Sequence, residues 1–201
     1  MCVLSRYVIA APVALILSAF CAPQASAASY NLDPTHSFIE FRTKHLGYSW
    51  LYGRFNRIEG NLIWDQSRPH ASKIKVKIDL TSLDSNHAER DKHLRGDEYL
   101  DARTYPDVEF VSSRYEGDAD SGVVYGTLIL RGISRELQIP INRIGEGHDP
   151  WGGYRVGFEG KVTLDAFDYG MKYDVGPGGN VIELFLGIEG VKKKKLAPKR
   201  R

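Results

Sequence analysis

Residues 73–80 read Lys73-Ile74-Lys75-Val76-Lys77-Ile78-Asp79-Leu80, and this alternation decides the fold. Side chains point to opposite faces along an extended strand. Lys73, Lys75, Lys77 and Asp79 therefore share one face, and Ile74, Val76, Ile78 and Leu80 the other. One wet face and one dry face mark an antiparallel sheet that meets solvent on one side only.

The same period extends outward in both directions. Upstream, Ser37–Lys44 sets Ile39 and Phe41 opposite Glu40 and Arg42, and Arg54–Asp65 sets Ile58, Gly60, Leu62 and Trp64 opposite Glu59, Asn61 and Asp65. Between them, Tyr48–Gly53 reads as an aromatic-rich loop carrying Trp50 and Tyr52. Downstream, strands are expected at Val108–Glu116, Val123–Arg131, Glu136–Ile144, Tyr154–Leu164 and Val181–Val191. A hairpin is expected about Gly132-Ile133-Ser134, and Pro140 requires an edge position or a bulge. Asp165–Gly179 reads as irregular. About eight strands result, nearly all antiparallel neighbours: an all-β chain. Glycines 60, 126, 157, 160 and 187 fall inside strands, where they permit the sharp bends of a closed eight-stranded barrel. A two-sheet sandwich has the same periodicity, so pattern alone leaves both architectures open.

One segment breaks the pattern. Ser82–Phe110 is dense in charge and reads as a short helical insert. Ser85 or Asn86 is the expected cap, Ala88–Arg95 the helix, and Gly96 its end. Asp97 is expected to cap a second short turn at Glu98–Leu100, and Tyr105-Pro106 returns the chain to extended geometry. Arg90, Asp91 and His93 are read as clamping the insert to the sheet rim, with Leu94, Tyr99 and Leu100 turned inward.

Met1–Ala27 reads as a cleaved secretory signal: Arg6, the apolar run Tyr7–Cys21 broken by Pro12, then Ala25-Ser26-Ala27. The bulky Phe20 before Cys21 speaks against a lipoprotein. Cys2 and Cys21 are the chain's two cysteines and leave with the signal, so the remainder has no disulfide and no thiolate chemistry. Export without cysteines fits the bacterial periplasm. At the other end, residues 192–201 carry seven basic residues and no acid. Without that tail and Arg6, residues 28–191 hold 19 basic against 25 acidic side chains, a net charge of −6. Such a body does not suggest nucleic-acid binding. The tail reads as a solvated terminus with weak attraction for anionic lipid head groups.

Two kinds of function fit these residues. His36, His45, His87 and His93 could converge on a metal or serve a haem-associated enzyme, but their spacings match no compact motif. There is no G-x-S-x-G, no cysteine nucleophile, no phosphate-cradling glycine loop and no evident acid–base carboxylate pair. The alternative is a binding protein. Inward faces that mix aromatic and branched residues with glycine describe either an apolar tunnel or a filled barrel.

The ordered set of short elements settles the resemblance. These are Asp33-x-x-His36-Ser37-x-Ile39-x-Phe41, His45, Gly53-x-Phe55, Gly60 and Ser82-Leu83-x-Ser85. They continue with Arg90-Asp91-x-His93-Leu94, Tyr105-Pro106-x-Val108-x-Phe110-x-Ser112, Gly126-x-Leu128-x-Leu130-Arg131-Gly132 and Phe167-x-Tyr169-Gly170-Met171. Together they resemble the YceI-like family of periplasmic polyisoprenoid-binding proteins over about Tyr30–Val191. The resemblance implies a lipocalin-like antiparallel barrel and a tunnel for a long isoprenoid, either a polyprenyl chain or a quinone-type tail. It brings no catalytic residue and no cofactor other than that lipid. The expected tunnel residues are Ile39, Phe41, Ile58, Leu62, Trp64 and Ile78 from the first strands, and Leu94, Tyr99 and Leu100 from the insert. Phe110, Leu128, Leu130, Phe158, Val162, Phe167, Met171 and Leu186 complete the set. Expected partners are the isoprenoid lipid, a membrane surface met through the tail, and a second copy in a homodimer. Tyr99-Leu100 departs from the Phe-Phe frequent in the family, and the basic tail lies outside its pattern.

Overall fold

Eleven strands form one closed sheet in the computed structural model, which describes residues 27–172 and 176–193. The signal reading and most of the basic tail fall outside those residues. The strands are β1 (Ala28–Leu32), β2 (Phe38–His45), β3 (Ser49–Phe55), β4 (Ile58–Trp64), β5 (Lys73–Asp79) and β6 (Leu83–Asp84), then β7 (Asp107–Gly117), β8 (Ser121–Leu130), β9 (Ile133–His148), β10 (Tyr154–Asp165) and β11 (Val181–Lys192). Among the described residues the one α-helix, α1 (Ala88–Leu94), lies between β6 and β7.

The eleven strands reduce to eight courses. β1 and β2 pair successively with the two halves of β11. β4 pairs with β1 and β5, while β3 pairs with β2 and β6. Thus β1–β2, β3–β4 and β5–β6 are three long strands, each interrupted once. With β7 through β11 they close an eight-course antiparallel barrel, β11 against β1 and β2. The barrel, not the sandwich, is the fold. Several segments differ from the sequence expectation, and β9 runs on to His148. Ala28–Leu32 is a strand, and the aromatic stretch Ser49–Phe55 is a strand rather than a loop. The latter alternates in geometry but not in polarity: Trp50 and Tyr52 face out over the charged surface while Gly53 faces in, where a Cβ would lie 2.3 Å from the Phe41 ring.

Serine hydroxyls splice the interruptions. Where β1 passes to β2, Ser37 Oγ donates to Glu189 O (3.2 Å) and accepts from Glu189 N (3.0 Å), replacing the ladder bonds that β11 loses there. Where β3 passes to β4, Ser82 Oγ accepts from Arg57 N (2.9 Å) and donates to Asp79 O (2.6 Å). Both serines are buried. An unsatisfied buried backbone group costs about 1–3 kcal/mol. Ser82→Ala is therefore expected to lower the melting temperature by roughly 2–4 °C per kcal/mol lost. A melting curve unchanged from the parent protein would remove this splice from the description.

The far half of the seam is tied from outside. Arg155 Nε bonds Asp149 Oδ2 at 2.8 Å, and its Nη1 bonds Asp33 Oδ2 at 2.6 Å and also Glu189 Oε1. Burial alone would raise the Asp33 carboxyl, but hydrogen bonds from Thr35, His36 and Arg155 hold it well below the usual carboxylate range. Asp149 is lowered mainly by Arg155. A carboxyl depressed in the folded state stabilises fully above its unfolded pKa of about 3.9 and loses that contribution as pH falls through the folded value. Melting temperature should hold from neutrality to about pH 5 and fall steeply below about pH 4. Arg155→Met should flatten that acid limb, and an acid limb of unchanged slope in the variant would contradict the assignment.

The turn between β8 and β9 is two residues long, Arg131-Gly132, both at positive φ (52° and 72°), and not the expected Gly132-Ile133-Ser134. Pro140 sits where β9 leaves β10: their pairing ends at Ile141↔Gly160, so the preceding half of β9 pairs with β8 alone. Glycines 60 and 126 are not cavity space, as their strand positions suggested. A Cβ on either would strike a neighbouring strand's carbonyl at 2.3 Å and 2.5 Å, respectively. They are places where strands cross closely.

The outer faces of the barrel carry ion pairs, among them Lys75–Glu109, Lys77–Asp107 and Arg42–Glu183–Lys161. A membrane-spanning barrel needs an apolar band there. Among the described residues no helix is long and apolar enough to cross a membrane.

Candidate functional site

The inner faces of the strands enclose two apolar chambers in series. The outer one, about 400 Å³, lies under the insert between Phe41, Leu51 and Phe55 on one side and Leu130, Leu164 and Met171 on the other. The inner one, about 110 Å³, runs on between Leu62, Val76, Phe110, Leu137, Ile141, Phe158 and Val162 to Trp64. Ile39, Ile78, Leu128 and Leu184 line both, so the two chambers adjoin at these side chains. Between Ile182 in the outer wall and Ile188 in the inner wall they extend roughly 20 Å along β11, at about 3.3 Å per residue.

The floor is aromatic. Trp64 meets Phe158 edge-on at 5.0 Å between centroids and Tyr115 at 6.4 Å. Its indole N–H donates to Glu146 Oε2 at 2.9 Å, and the Tyr154 hydroxyl reaches the other oxygen at 3.3 Å. Two bulges make this possible. An irregularity at Ser112/Arg114 shifts the inward phase of β7 from Val108 and Phe110 to Tyr115, and one opposite Gly157/Phe158 shifts β9 from Ile141 to Glu146. Burial pushes the Tyr30 hydroxyl, close by, up to about 12. In the inner wall, Ser112 Oγ accepts from Ile74 N at 2.8 Å. Ser72 Oγ is buried with no hydrogen-bond partner among the described residues.

The lid is the insert. His87, not Ser85 or Asn86, caps α1: its Nδ1 accepts from Arg90 N at 3.2 Å. Asn86 instead makes the preceding turn at φ 63°. Buried Asp91 accepts from Ser85 N (2.8 Å) and Ser85 Oγ (2.5 Å), while Arg90 Nε donates to the same hydroxyl at 2.7 Å and its Nη2 to Ser85 O. Arg95 reaches Leu83 O at 3.1 Å. From across the mouth, Arg131 donates to Asp97 O and Tyr99 O, and Lys172 N to Glu98 O. The expected clamp is thus made by Arg90 and Asp91 with Arg95 and Arg131. His93 instead faces the cavity, 5.1 Å edge-on from Tyr99 and 3.4 Å from Glu98. Glu98–Leu100 makes hydrogen-bonded turns, as expected. Asp91→Ala should cost about 2–3 kcal/mol, because it strands a buried amide and hydroxyl that bonded to a charge. Chemical denaturation checks this, and a loss under 0.5 kcal/mol, as for an ordinary surface substitution, would contradict it.

Of the expected tunnel residues, Ile39, Phe41, Leu62, Trp64, Ile78, Leu94, Tyr99, Leu100, Phe110, Leu128, Leu130, Phe158, Val162, Met171 and Leu186 line one chamber or both. Two do not. Ile58 is buried in the wall beside Leu32 and Val76 rather than facing the cavity. Phe167 points outward and is 48% exposed. Ala166–Tyr169 is a 3-10 turn, so Ala166 and Tyr169 share the inner side and Phe167 takes the other. Leu137, Ile139, Ile141, Ile182, Leu184 and Ile188 were missed; in β11 the apolar Val181 and Phe185 on the outer face blur the alternation that β5 shows.

The histidines do not converge. His36 lies in the β1–β2 link, His87 caps α1, and His45 and His93 stand at the cavity mouth. Among the described residues the one trio of metal-capable donors within reach of each other is Asp33, His36 and Glu189. Arg155 already pairs with both carboxylates.

A closed barrel around an apolar tunnel, with a helical lid, defines a lipocalin-like binding fold. The YceI-like domain matches residues 30–189, and the chain belongs to that family. A UPF0312 protein of Pseudomonas aeruginosa is 48% identical over 185 residues, covering 91% of this chain and 97% of that protein. The crystal structure of Burkholderia cenocepacia BcnA superposes with a TM-score of 0.72 at 18% identity, covering 79% of this chain and 98% of that one. A polyisoprenoid binding domain from Saccharophagus degradans, implicated in plant cell wall breakdown, superposes with a TM-score of 0.58 at 17% identity, covering 84% and 100%.

Proposed function

We propose that this chain is a periplasmic, non-enzymatic binding or carrier protein that holds a long-chain isoprenoid lipid, polyprenyl or quinone-type, in the barrel tunnel. The observation that carries this reading is the pair of adjoining chambers along the barrel axis: four side chains line both, and the walls are mainly aliphatic and aromatic. A methyl-branched chain suits such a bore. Each buried CH₂ contributes about 0.8 kcal/mol, so several isoprene units give ample affinity without strong polar contacts. The family membership and the polyisoprenoid binding named for the Saccharophagus domain support the same ligand class. The leader sequence and the lack of cysteine in residues 28–201 support the compartment. No cofactor beyond the lipid is required.

Trp64 at the floor offers a direct test. Titration with a long prenyl alcohol delivered from cyclodextrin should change tryptophan fluorescence saturably at one lipid per chain. A prenyl chain that leaves the fluorescence unchanged and fails to co-elute with the protein would contradict the proposal.

A further inference from the structure

The tunnel mouth carries a hairpin with an exposed apolar tip. β2 and β3 are joined at its tip by Leu46-Gly47-Tyr48, with His45 paired to Ser49. Tyr48 is 88% exposed and Leu46 47%, and Trp50 stands out on the adjoining strand. Leu46 has φ 53°, a conformation comfortable for glycine, asparagine and aspartate but not for a branched apolar residue. A residue chosen for the turn would not be leucine. The tip is also basic. Lys44, His45, Arg90 and His93 line the outer chamber, and no carboxylate belongs to that lining; Glu98, beside His93, is a nearby acid. Lys44, His45 and Leu46 belong at once to the tip and to the tunnel wall.

From this geometry we infer that the β2–β3 hairpin docks the tunnel mouth onto an anionic phospholipid surface. Tyr48 and Trp50 suit the head-group layer, where an aromatic body meets water and hydrocarbon together. Leu46 enters beyond them, and the cations meet lipid phosphates. The mouth then opens against the bilayer, so an apolar ligand passes between membrane and tunnel without crossing water. The basic tail begins at the opposite end of the barrel. β11 runs from the mouth at Ile182 to Lys192 beside the floor, about 33 Å away at roughly 3.3 Å per residue. The inference concerns the surface and stands whatever lipid fills the tunnel.

The test uses the full chain and two readouts. Flotation with vesicles of phosphatidylglycerol and phosphatidylcholine compares the parent with a Leu46→Gly/Tyr48→Ser double variant. Glycine accepts the turn's φ, so the variant should melt with the parent. Its vesicle affinity should drop about tenfold or more. In a Trp151→Phe background, lipids brominated along the acyl chain should quench Trp50, while Trp64 at the floor stays unquenched. Three results would overturn the inference: no vesicle binding by the parent, undiminished binding by the double variant, or binding that leaves Trp50 unquenched. The last two would assign membrane contact to the tail or another basic surface.

Discussion

Leu128→Trp is expected to abolish lipid loading while leaving the barrel folded. Leu128 lines both chambers and stands where they join. An indole there has the outer chamber of about 400 Å³ to turn into, so overpacking should cost no more than about 1–3 kcal/mol. The ring would stand between the two chambers and block passage from one to the other. Lipid extracted from the variant should fall to background, with circular dichroism unchanged. Full loading of a folded variant would mean that the ligand occupies one chamber only.

Trp64→Ala is expected to have the largest effect on stability. The side chain is 4% exposed, packs edge-on against Phe158 and Tyr115, and satisfies Glu146 through its N–H. Truncating a buried tryptophan costs about 3–5 kcal/mol. At roughly 2–4 °C per kcal/mol, the melting temperature should fall by about 6–20 °C. Trp64→Phe separates the two contributions: it keeps most of the ring contact and removes the bond to Glu146, for a smaller loss. Equal losses in the two variants would show that the hydrogen bond, not the packing, holds the floor.

The fold was legible wherever one strand face was uniformly apolar. Ile74, Val76 and Ile78 in β5, Ile39 and Phe41 in β2, and Val156, Phe158 and Val162 in β10 all face inward as their alternation requires. What alternation could not show was where a strand is spliced. Arg54–Asp65 reads as one strand, yet Asn56 and Arg57 leave the ladder, and their amides turn to Ser82 O and Ser82 Oγ. That pairing lies 25 or 26 residues away and leaves no periodic trace. Bulges are equally silent: Glu146 reaches the floor because β9 shifts phase near Ile144, and nothing in a charged, glycine-bearing stretch announces it. Phe167 was misplaced for a different reason. Its segment has a period of three, and a lone aromatic in such a turn has no neighbours to reveal its side. The glycines misled because a missing side chain marks space for a ligand and close approach of a strand in the same way; the Cβ distances at Gly60 and Gly126 select the second.

The insert shows the reverse relation. Its crowded charges suggested chemistry, but Asp91, Arg90 and Arg95 spend their hydrogen bonds on Ser85 and Leu83, fixing the lid from below. Leu94, Tyr99 and Leu100 then cover the outer chamber. Polar fixings on one side and apolar cover on the other suit a lid over an apolar bore.

Native mass spectrometry of the protein purified without detergent from its source cells, followed by analysis of its organic extract, tests the central claim most directly. One long prenyl lipid per chain, lost in Leu128→Trp, is the predicted result. A chain that carries no lipid, or carries only straight-chain fatty acids, would contradict it.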